Sequence, residues 1–489
     1  MSTGALLRRA TAGATALRGG RVRRLTPYQV FGLLFWLLMT LAYWRVPPCC
    51  EAGLHAAAVA RLRAGLTDTA VSPYVLAQGA LARLTGLTGW LLLRVSGPLN
   101  LLVLLTGLGR LVRVLTPRAW APVLALGFLS VLWGTRPAWG GGSLALLPLT
   151  GSLGYPSAFA LGLTFWAWAL TGARARDLRR VRYVGPSGLR SLSGYAALGL
   201  LYGTVALVDP VTGVGAAAGA VAFAAGWQRG WRAAVWGRWA LLCTVTAAAL
   251  AFGTHARVLP PSAHGWYAGP GEWAGQCWLA LLGLPALWLR ARRAGGAPVR
   301  GAVGPGAWRD PLVLLFALEC LVLACGRIAG LLGLVLLAPQ CALAVELAAE
   351  RPWCGWRRVL GWAAAGGVCV GFLAAQAGAV VPRSVDPVGF VQPPRWPSYD
   401  WAARHIGPGE PVATDGYYAV RLLPGYGIAL ADGHAHRPRV RWLLLTRQER
   451  LPAGAVVVDW SRRTGEVLAR LTRTGDASPV PPVTRSVTR

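Results

Sequence analysis

The chain has 489 residues, 55% of them hydrophobic and only 14% charged, with a formal net charge of +31 and a mean hydropathy of +0.47. Soluble globular domains carry roughly 25% charged residues, so the composition excludes an ordinary soluble class and points to a chain that uses lipid as its solvent. Every basic residue is an arginine, a usage that fits a GC-rich genome and has no mechanistic meaning. The arginines stand in short clusters between apolar runs: "RRATAGATALRGGRVRR", "RARDLRRVR", "RARR" and "RPWCGWRR". That is the positive-inside pattern of a multi-pass membrane protein rather than a nucleic-acid footprint, and no nucleic-acid partner is expected. Cys243, Cys320, Cys325 and Cys369 lie inside apolar runs and read as small hydrophobes. The vicinal Cys49 and Cys50 would form a strained bridge, so they read as free or partly buried thiols.

A spanning helix needs about 20 apolar residues. The first such run, 25–46, follows a basic N-terminus, 1–24. No small-residue cleavage site follows it, so it is expected to remain as an anchor with the N-terminus cytoplasmic. An outer segment, 47–90, comes next. It opens with "PPCCEAGLH", continues through the amphipathic "EAGLHAAAVARLRAGL" and "TDTAVSPY", and ends in a more apolar stretch. Spans at 91–112 and 119–134 are joined by the inward turn "RLVRVLTPR". The run "SLALLPLTGSLGYPSAFALGLTFWAWAL" is long for one helix and is broken by Gly154 and Pro156. It reads as a short re-entrant piece and then a span that ends before a basic loop at 174–190. Broken backbone at membrane depth requires protein or a water-filled cavity around it. Further spans are expected at 192–208, 211–227, 239–252, 273–289, 311–325, 328–347 and 359–380. About eleven spans from an inside N-terminus leave the C-terminus outside.

From Pro382 the texture changes. A Pro-rich connector, "VDPVGFVQPPRWPSYDW", precedes short apolar runs, "PVAT", "GIAL", "RWLLL" and "AVVVDW", separated by turn signals. The expected architecture is an α-helical polytopic bundle (25–381) in the plasma membrane, with a small external α+β domain (382–475) and a disordered tail (476–489).

Glu51 and His55 are the first chemical candidates. On a helix, residues four apart share a face. A carboxylate at the lipid–water boundary suits general-base work; the plain alternative is an acidic residue favoured by the helix dipole. Asp68 is the other carboxylate of that outer segment. Arg136, Arg257 and Arg327 break the positive-inside rule. They are phosphate-binding candidates because a guanidinium fork grips phosphate oxygens bidentately, with snorkelling to the interface as the alternative. His264 and Glu272 share an outer loop with Trp266 and Tyr267, which suits sugar stacking or an interfacial aromatic belt. Asp209 and Asp415 read as turn residues. Glu319 and Glu346 are expected to face the bundle interior, with a proton or ion path as the functional alternative. No HExxH, Walker loop or GxSxG motif is present.

An acidic residue directly after span one, many spans and an external C-terminal α+β domain resemble the GT-C superfamily of multi-pass glycosyltransferases, of the actinobacterial type. The resemblance covers most of the chain, chiefly as architecture. Locally, "EAGLHAAAVARLRAGL" looks like the loop helix that follows the family's acidic residue. "WAARHIGPGEPVATDGYYAVRLLPGYG" looks like the start of its external tail. The family often has Asp where this chain has Glu51. The resemblance implies transfer of a sugar from a polyprenyl-phosphate donor to a cell-envelope acceptor at the outer face, among membrane lipids. Glu51, His55 and Asp68 would be catalytic, and Arg327, Arg136, Arg257 and His264 would bind phosphate or substrate. No cofactor is called for outright; a divalent metal ion, which some relatives use, stays open with Glu51 and His55 as two ligands. The alternatives are a non-catalytic protein of the same fold, or a lipid or solute transporter. The repeated halves common in transporters are not seen.

Overall fold

The structure is a computed structural model. It describes residues 25–47, 49, 51–65, 72–137, 144–180, 188–228, 231–255, 275–295, 309–326, 332–349, 355–407, 410–431, 441–446 and 451–471. The first helix, α1 (Pro27–Arg45), starts in a capping box. Thr26 accepts the Gln29 amide, and the Gln29 side chain accepts the Thr26 amide at 2.8 Å. Pro27 fits the first helical position, where its missing N–H costs nothing. Leu33, Leu34, Leu37, Leu38 and Leu41 leave one long face of α1 apolar and exposed, as lipid contact requires.

The described residues that follow form two helices, α2 (Ala52–Arg63) and α3 (Pro73–Thr85), the second capped by Ser72. Thr88 caps α4 (Gly89–Leu115), the longest apolar helix. Next come α5 (Ala121–Val131), the seven-residue α6 (Leu146–Ser152) and α7 (Pro156–Arg180). The interruption between α6 and α7 lies where Gly154 and Pro156 stand. Its freed carbonyls are satisfied by neighbours: Asn100 of α4 donates to the Leu153 carbonyl at 2.8 Å, and the Tyr74 hydroxyl donates to the Gly154 carbonyl at 3.2 Å. Asn100 also donates to that hydroxyl at 2.8 Å, closing the network. Thus the backbone groups freed at the break find partners within the protein. Gly107 of α4 and Gly162 of α7 let the two backbones touch; a Cβ on Gly107 would lie 2.7 Å from the Gly162 carbonyl oxygen.

The bundle continues with α8 (Gly188–Val208), α9 (Pro210–Trp227) and α10 (Ala233–His255). Asp209 caps α9, accepting from the Thr212 amide and hydroxyl, so it is a structural turn residue. A 3₁₀ stretch, Trp278–Gly283, leads into α11 (Leu284–Gly295). Then follow α12 (Pro311–Gly326), α13 (Leu332–Val335), α14 (Leu337–Leu347) and α15 (Trp356–Gly371). A π-turn at Phe372–Gln376 joins α15 to α16 (Ala377–Val380). Gln376 on that turn accepts the amide of Leu147, one of the unpaired donors at the start of α6, at 2.8 Å.

Among the described residues five helices are long and apolar enough to cross a membrane: Pro27–Arg45, Gly89–Leu115, Pro210–Trp227, Ala233–Gly253 and Trp356–Val380. Four shorter apolar helices accompany them, and helix length alone does not establish a count of eleven. One expectation changes: the helix α7 runs on through Arg174 to Arg180, where a loop was expected. The stretch expected at 273–289 is helical from residue 275 onward, with its 3₁₀ segment at Trp278–Gly283.

After α16 comes a short 3₁₀ turn, Arg383–Val385, then the Pro-rich connector and a one-turn helix, α17 (Asp400–Ala403). Five strands follow: β1 (Pro411–Ala413), β2 (Ala429–Leu430), β3 (Trp442–Leu445), β4 (Ala455–Trp460) and β5 (Val467–Leu471), in spatial order β2-β1-β3-β5-β4. β1 runs parallel to β2 and β3, while β5 is antiparallel to β3 and β4. Between β1 and β2 lie α18 (Tyr417–Leu422) and a 3₁₀ turn, Leu423–Tyr426. Trp396, Tyr399, Ile406, Val412, Leu422 and Leu444 form the core of this region, and Cys49 belongs to the same core. The Tyr399 hydroxyl donates to Glu466 at 2.8 Å, and the Thr464 hydroxyl holds the other oxygen of that carboxylate at 2.8 Å.

Glycine makes the joint between bundle and sheet region. A Cβ on Gly53, in the first turn of α2, would lie 2.2 Å from the Arg421 carbonyl oxygen and 2.6 Å from the Leu422 Cα. Gly425 in turn is pressed against Trp90 and Gly53. Replacing Gly53 by Val should therefore wedge α2 from the 3₁₀ turn, at a cost of about 1–3 kcal/mol. Thermal unfolding in detergent should show a lowered midpoint, with Gly127→Ala unchanged because nothing stands within 4 Å of that position. An unshifted Gly53→Val would mean the joint opens freely.

Candidate functional site

Glu51 directly precedes α2, half-buried, where the chain leaves α1. Its carboxylate does not cap the helix, although its carbonyl accepts the His55 amide at 3.1 Å. One turn further, His55 lies on the same helix, its ring centroid 5.2 Å from that of Tyr155. Tyr155 stands at the break between α6 and α7, and its hydroxyl donates to the Cys49 carbonyl. The break thus holds both the residue preceding this site and the imidazole within it. Burial lowers the His55 pKa from its ordinary value, and the Glu51 carboxylate opposes that shift without overcoming it. The imidazole is accordingly neutral near pH 7. Stability from this neutral burial is full above the ordinary histidine range. It is lost as pH falls through the lowered value, because the unfolded chain takes up the proton first.

Arg136 occupies an exposed turn after α5, where its amide donates to the Gly275 carbonyl at 3.0 Å and its stem packs on Gly275. Asp68, Arg257, His264 and Arg327 lie outside the described residues, as do Trp266, Tyr267 and Glu272. Glu319 and Glu346 are both buried in the bundle. Glu346 is clamped by Arg293 and Arg357, whereas neither Glu319 oxygen has a hydrogen-bond partner among the described residues.

The sequence reading did not find a groove that opens beside Pro47. It measures about 960 Å³, counting its open mouth, and Arg45, Arg383, Arg395 and Arg463 all line it. They come from four places: the last residue of α1, the 3₁₀ turn after α16, the Pro-rich connector and the turn between β4 and β5. No carboxylate lines this groove, and none of the four arginines forms an ion pair among the described residues. Arg383 is braced by donating to the Pro393 carbonyl at 3.1 Å. A concavity with four guanidinium groups and no counter-charge is built to receive an anion with several oxygens.

A second groove, of about 910 Å³ with its mouth, shares Pro47. Trp90, Arg94, Trp396, Ser398, Asp400 and Tyr426 line it. The Ser398 hydroxyl donates to the Asp400 carboxylate and lies 3.4 Å from the Tyr426 hydroxyl; the Trp90 and Tyr426 rings are 5.4 Å apart. Consecutive residues, Arg395 and Trp396, serve one groove each. Aromatic faces with a few convergent polar groups suit a small polar ligand that needs orienting. A small cavity lined by Cys49, Ala52 and Arg94 lies behind them, again bounded by Pro47. Only the place of Arg45 was legible, as a residue that closes the first apolar run, 25–46.

Among the described residues no three His, Cys, Asp or Glu side chains gather as metal ligands. Glu51 and His55 alone do not make a site for a divalent ion, and no chemical step is assigned to one.

No family model matches the chain, and no curated protein matches it. Among solved structures it is similar to the oligosaccharyltransferase of Archaeoglobus fulgidus, whose crystal structure is a complex with Zn and sulfate. The identity is 11% and the TM-score 0.49, over 85% of this chain and 68% of that one.

Proposed function

We propose that the chain is a membrane glycosyltransferase that moves a sugar from a polyprenyl-phosphate donor to a cell-envelope acceptor, at the extracytoplasmic face that carries the sheet region. One observation carries this reading: a basic groove and an aromatic, carboxylate-bearing groove meet at Pro47, where the first span ends. The donor phosphate rests on Arg45, Arg383, Arg395 and Arg463. Its polyprenyl chain follows the exposed leucine face of α1 into lipid. The sugar lies over Trp90, Trp396 and Tyr426, with Asp400, Ser398 and Arg94 holding its hydroxyls.

Glu51, four residues after the shared Pro47 and outside the lining of both grooves, is assigned the proton by its place at the start of α2. The acceptor hydroxyl gives its proton to the Glu51 carboxylate as its oxygen bonds to the anomeric carbon. The bond from that carbon to the phosphate oxygen breaks, and the lipid phosphate leaves with the electron pair. Charge growing on the phosphate is met by the arginines, which need not reorganise to stabilise it. Neutral His55, beside Glu51, accepts a hydrogen bond and helps orient the acceptor.

Sugar transfer from a labelled polyprenyl-phosphate donor in proteoliposomes tests this. Hydrogen bonds to charged groups contribute about 1.5–3 kcal/mol each, so Arg395→Gln combined with Arg463→Gln should raise the donor KM by roughly a hundredfold or more. Arg61→Gln, at an exposed position near the far end of α2, should leave it unchanged. An unaltered KM in the double variant would remove the phosphate from this groove.

A further inference from the structure

At the opposite end of α1 lies another groove, about 1500 Å³ with its open side, between α1, α4 and α7. Thirteen residues of helix separate Gly32 from Arg45, roughly 20 Å along the axis, so it is separate from the grooves at Pro47. Its walls include Leu33, Trp36 and Leu102, and its end carries Arg110 and Arg113. No carboxylate lines it. The two arginines are three residues apart on α4, hence on one face. Both are fixed: the Arg110 guanidinium lies 5.0 Å from the centre of the Trp166 ring, and Arg113 donates to the Thr26 hydroxyl at 3.1 Å. Trp166 is itself held by donating to the Thr106 hydroxyl at 3.2 Å. Neither arginine has an ion pair among the described residues. Gly32 lines the groove, and a Cβ there would meet nothing within 4 Å.

Arginines that merely snorkel need no concavity beside them. Here two oriented cations close the end of an apolar trough that opens sideways between membrane helices. We infer that this groove binds one anionic phospholipid of the leaflet opposite the sheet region. Its phosphodiester sits on Arg110 and Arg113, and an acyl chain lies over Gly32 between Trp36 and Leu102. Charge complementarity selects the head group, and the missing side chain at Gly32 makes room for the chain. Basic pockets between helices at the cytoplasmic boundary recognise lipid head groups in this way. The site is independent of the reaction proposed above.

The test uses the purified full chain in vesicles of equal parts phosphatidylcholine and phosphatidylglycerol, extracted with mild detergent and read by native mass spectrometry. One phosphatidylglycerol should remain per chain, in preference to phosphatidylcholine. Arg110→Gln with Arg113→Gln should cut its retention roughly thirtyfold, since each arginine at head-group level contributes about fivefold. Gly32→Leu should cut retention although both arginines remain, Gly32→Ala should cut it less, and the exposed Arg83→Gln should not change it. Equal retention of phosphatidylcholine would overturn the inference, as would retention unaffected by Gly32→Leu in a variant with an unchanged thermal midpoint. Displacement of phosphatidylglycerol by equimolar polyprenyl phosphate would overturn it too, by giving the groove to the donor. If the leucine variant fails to fold, Gly32→Ala decides the matter, with retention equal to wild type counting against the inference.

Discussion

Glu51→Gln should lower sugar transfer by about 10²–10⁴, the usual cost of removing a general base, while leaving the fold intact. Glutamine keeps the shape of the side chain but cannot take the acceptor proton. Stability should hold because glutamine keeps the size of the side chain and can still hydrogen-bond at the start of α2; the joint there rests on the close approach at Gly53 and on Cys49 in the core of the sheet region. Asp400→Asn offers the contrast. Asp400 lines the aromatic groove, so its loss should act mainly on the donor KM, with a smaller effect on kcat. A KM effect points to uniform binding and a kcat effect to an interaction made in the transition state. Full activity in Glu51→Gln would make the carboxylate a helix-start residue favoured by the dipole alone. A kcat collapse in Asp400→Asn with Glu51→Gln active would move the base into the aromatic groove.

Glu346→Ala should lose about 3 kcal/mol of stability, the largest structural effect expected from a single side chain. The carboxylate is 5% exposed and accepts from Arg293 at 2.8 and 2.7 Å and from Arg357 at 3.3 Å. Breaking a buried pair by removing one partner costs about 3–5 kcal/mol, because a buried charge is left uncompensated. The lower end applies because Arg293 is half exposed and can turn to solvent, while Arg357 cannot do so as readily. Glu319 supplies the control: its buried oxygens have no hydrogen-bond partner among the described residues, so Glu319→Met should be neutral or stabilising. Denaturation in detergent reads both. A loss below about 1 kcal/mol for Glu346→Ala would put the triad in the class of surface ion pairs.

Much of the bundle was legible because membrane burial writes itself into local sequence. Thr26, Pro27 and Gln29 carry a helix start. Gly154 and Pro156 mark the break, Asp209-Pro210 opens α9, and the runs "PVAT", "GIAL", "RWLLL" and "AVVVDW" became β1 to β4. The strand β5 was not singled out, since "VLARL" reads as well for a helix; its extended form comes from pairing with β3 and β4, which is tertiary. The run of α7 past Arg174 was hidden for a related reason. A basic stretch signals the end of an apolar run, but arginine is a good helix former, so the helix outlasts the run.

The candidate site was less legible. Glu51 and His55 are neighbours along one helix and could be read from spacing. The basic groove could not be: Arg45, Arg383, Arg395 and Arg463 are spread over more than 400 residues and converge only when the connector and the β4–β5 turn fold back on α1. Read one by one, Arg383, Arg395 and Arg463 carry nothing that sets them apart from the chain's other arginines. Arg136 drew notice by breaking the charge rule, yet it packs against Gly275 in a separate turn. Cys49, which reads from sequence as a free or partly buried thiol, is a buried member of the core that seats the sheet region beside the grooves.

The most direct test of donor binding at Pro47 is photo-crosslinking with a polyprenyl phosphate that carries a diazirine near its phosphate, followed by peptide mapping of the adducts on the full chain in vesicles. Adducts should fall on the walls of the basic groove, at Val46 and Pro47, at Val381 to Ser384 and around Arg395, and should fade when unlabelled polyprenyl phosphate is added or when Arg395 and Arg463 are replaced by Gln. Adducts confined to other faces of the bundle, or labelling that survives both treatments, would contradict a lipid-linked donor seated at the end of the first span.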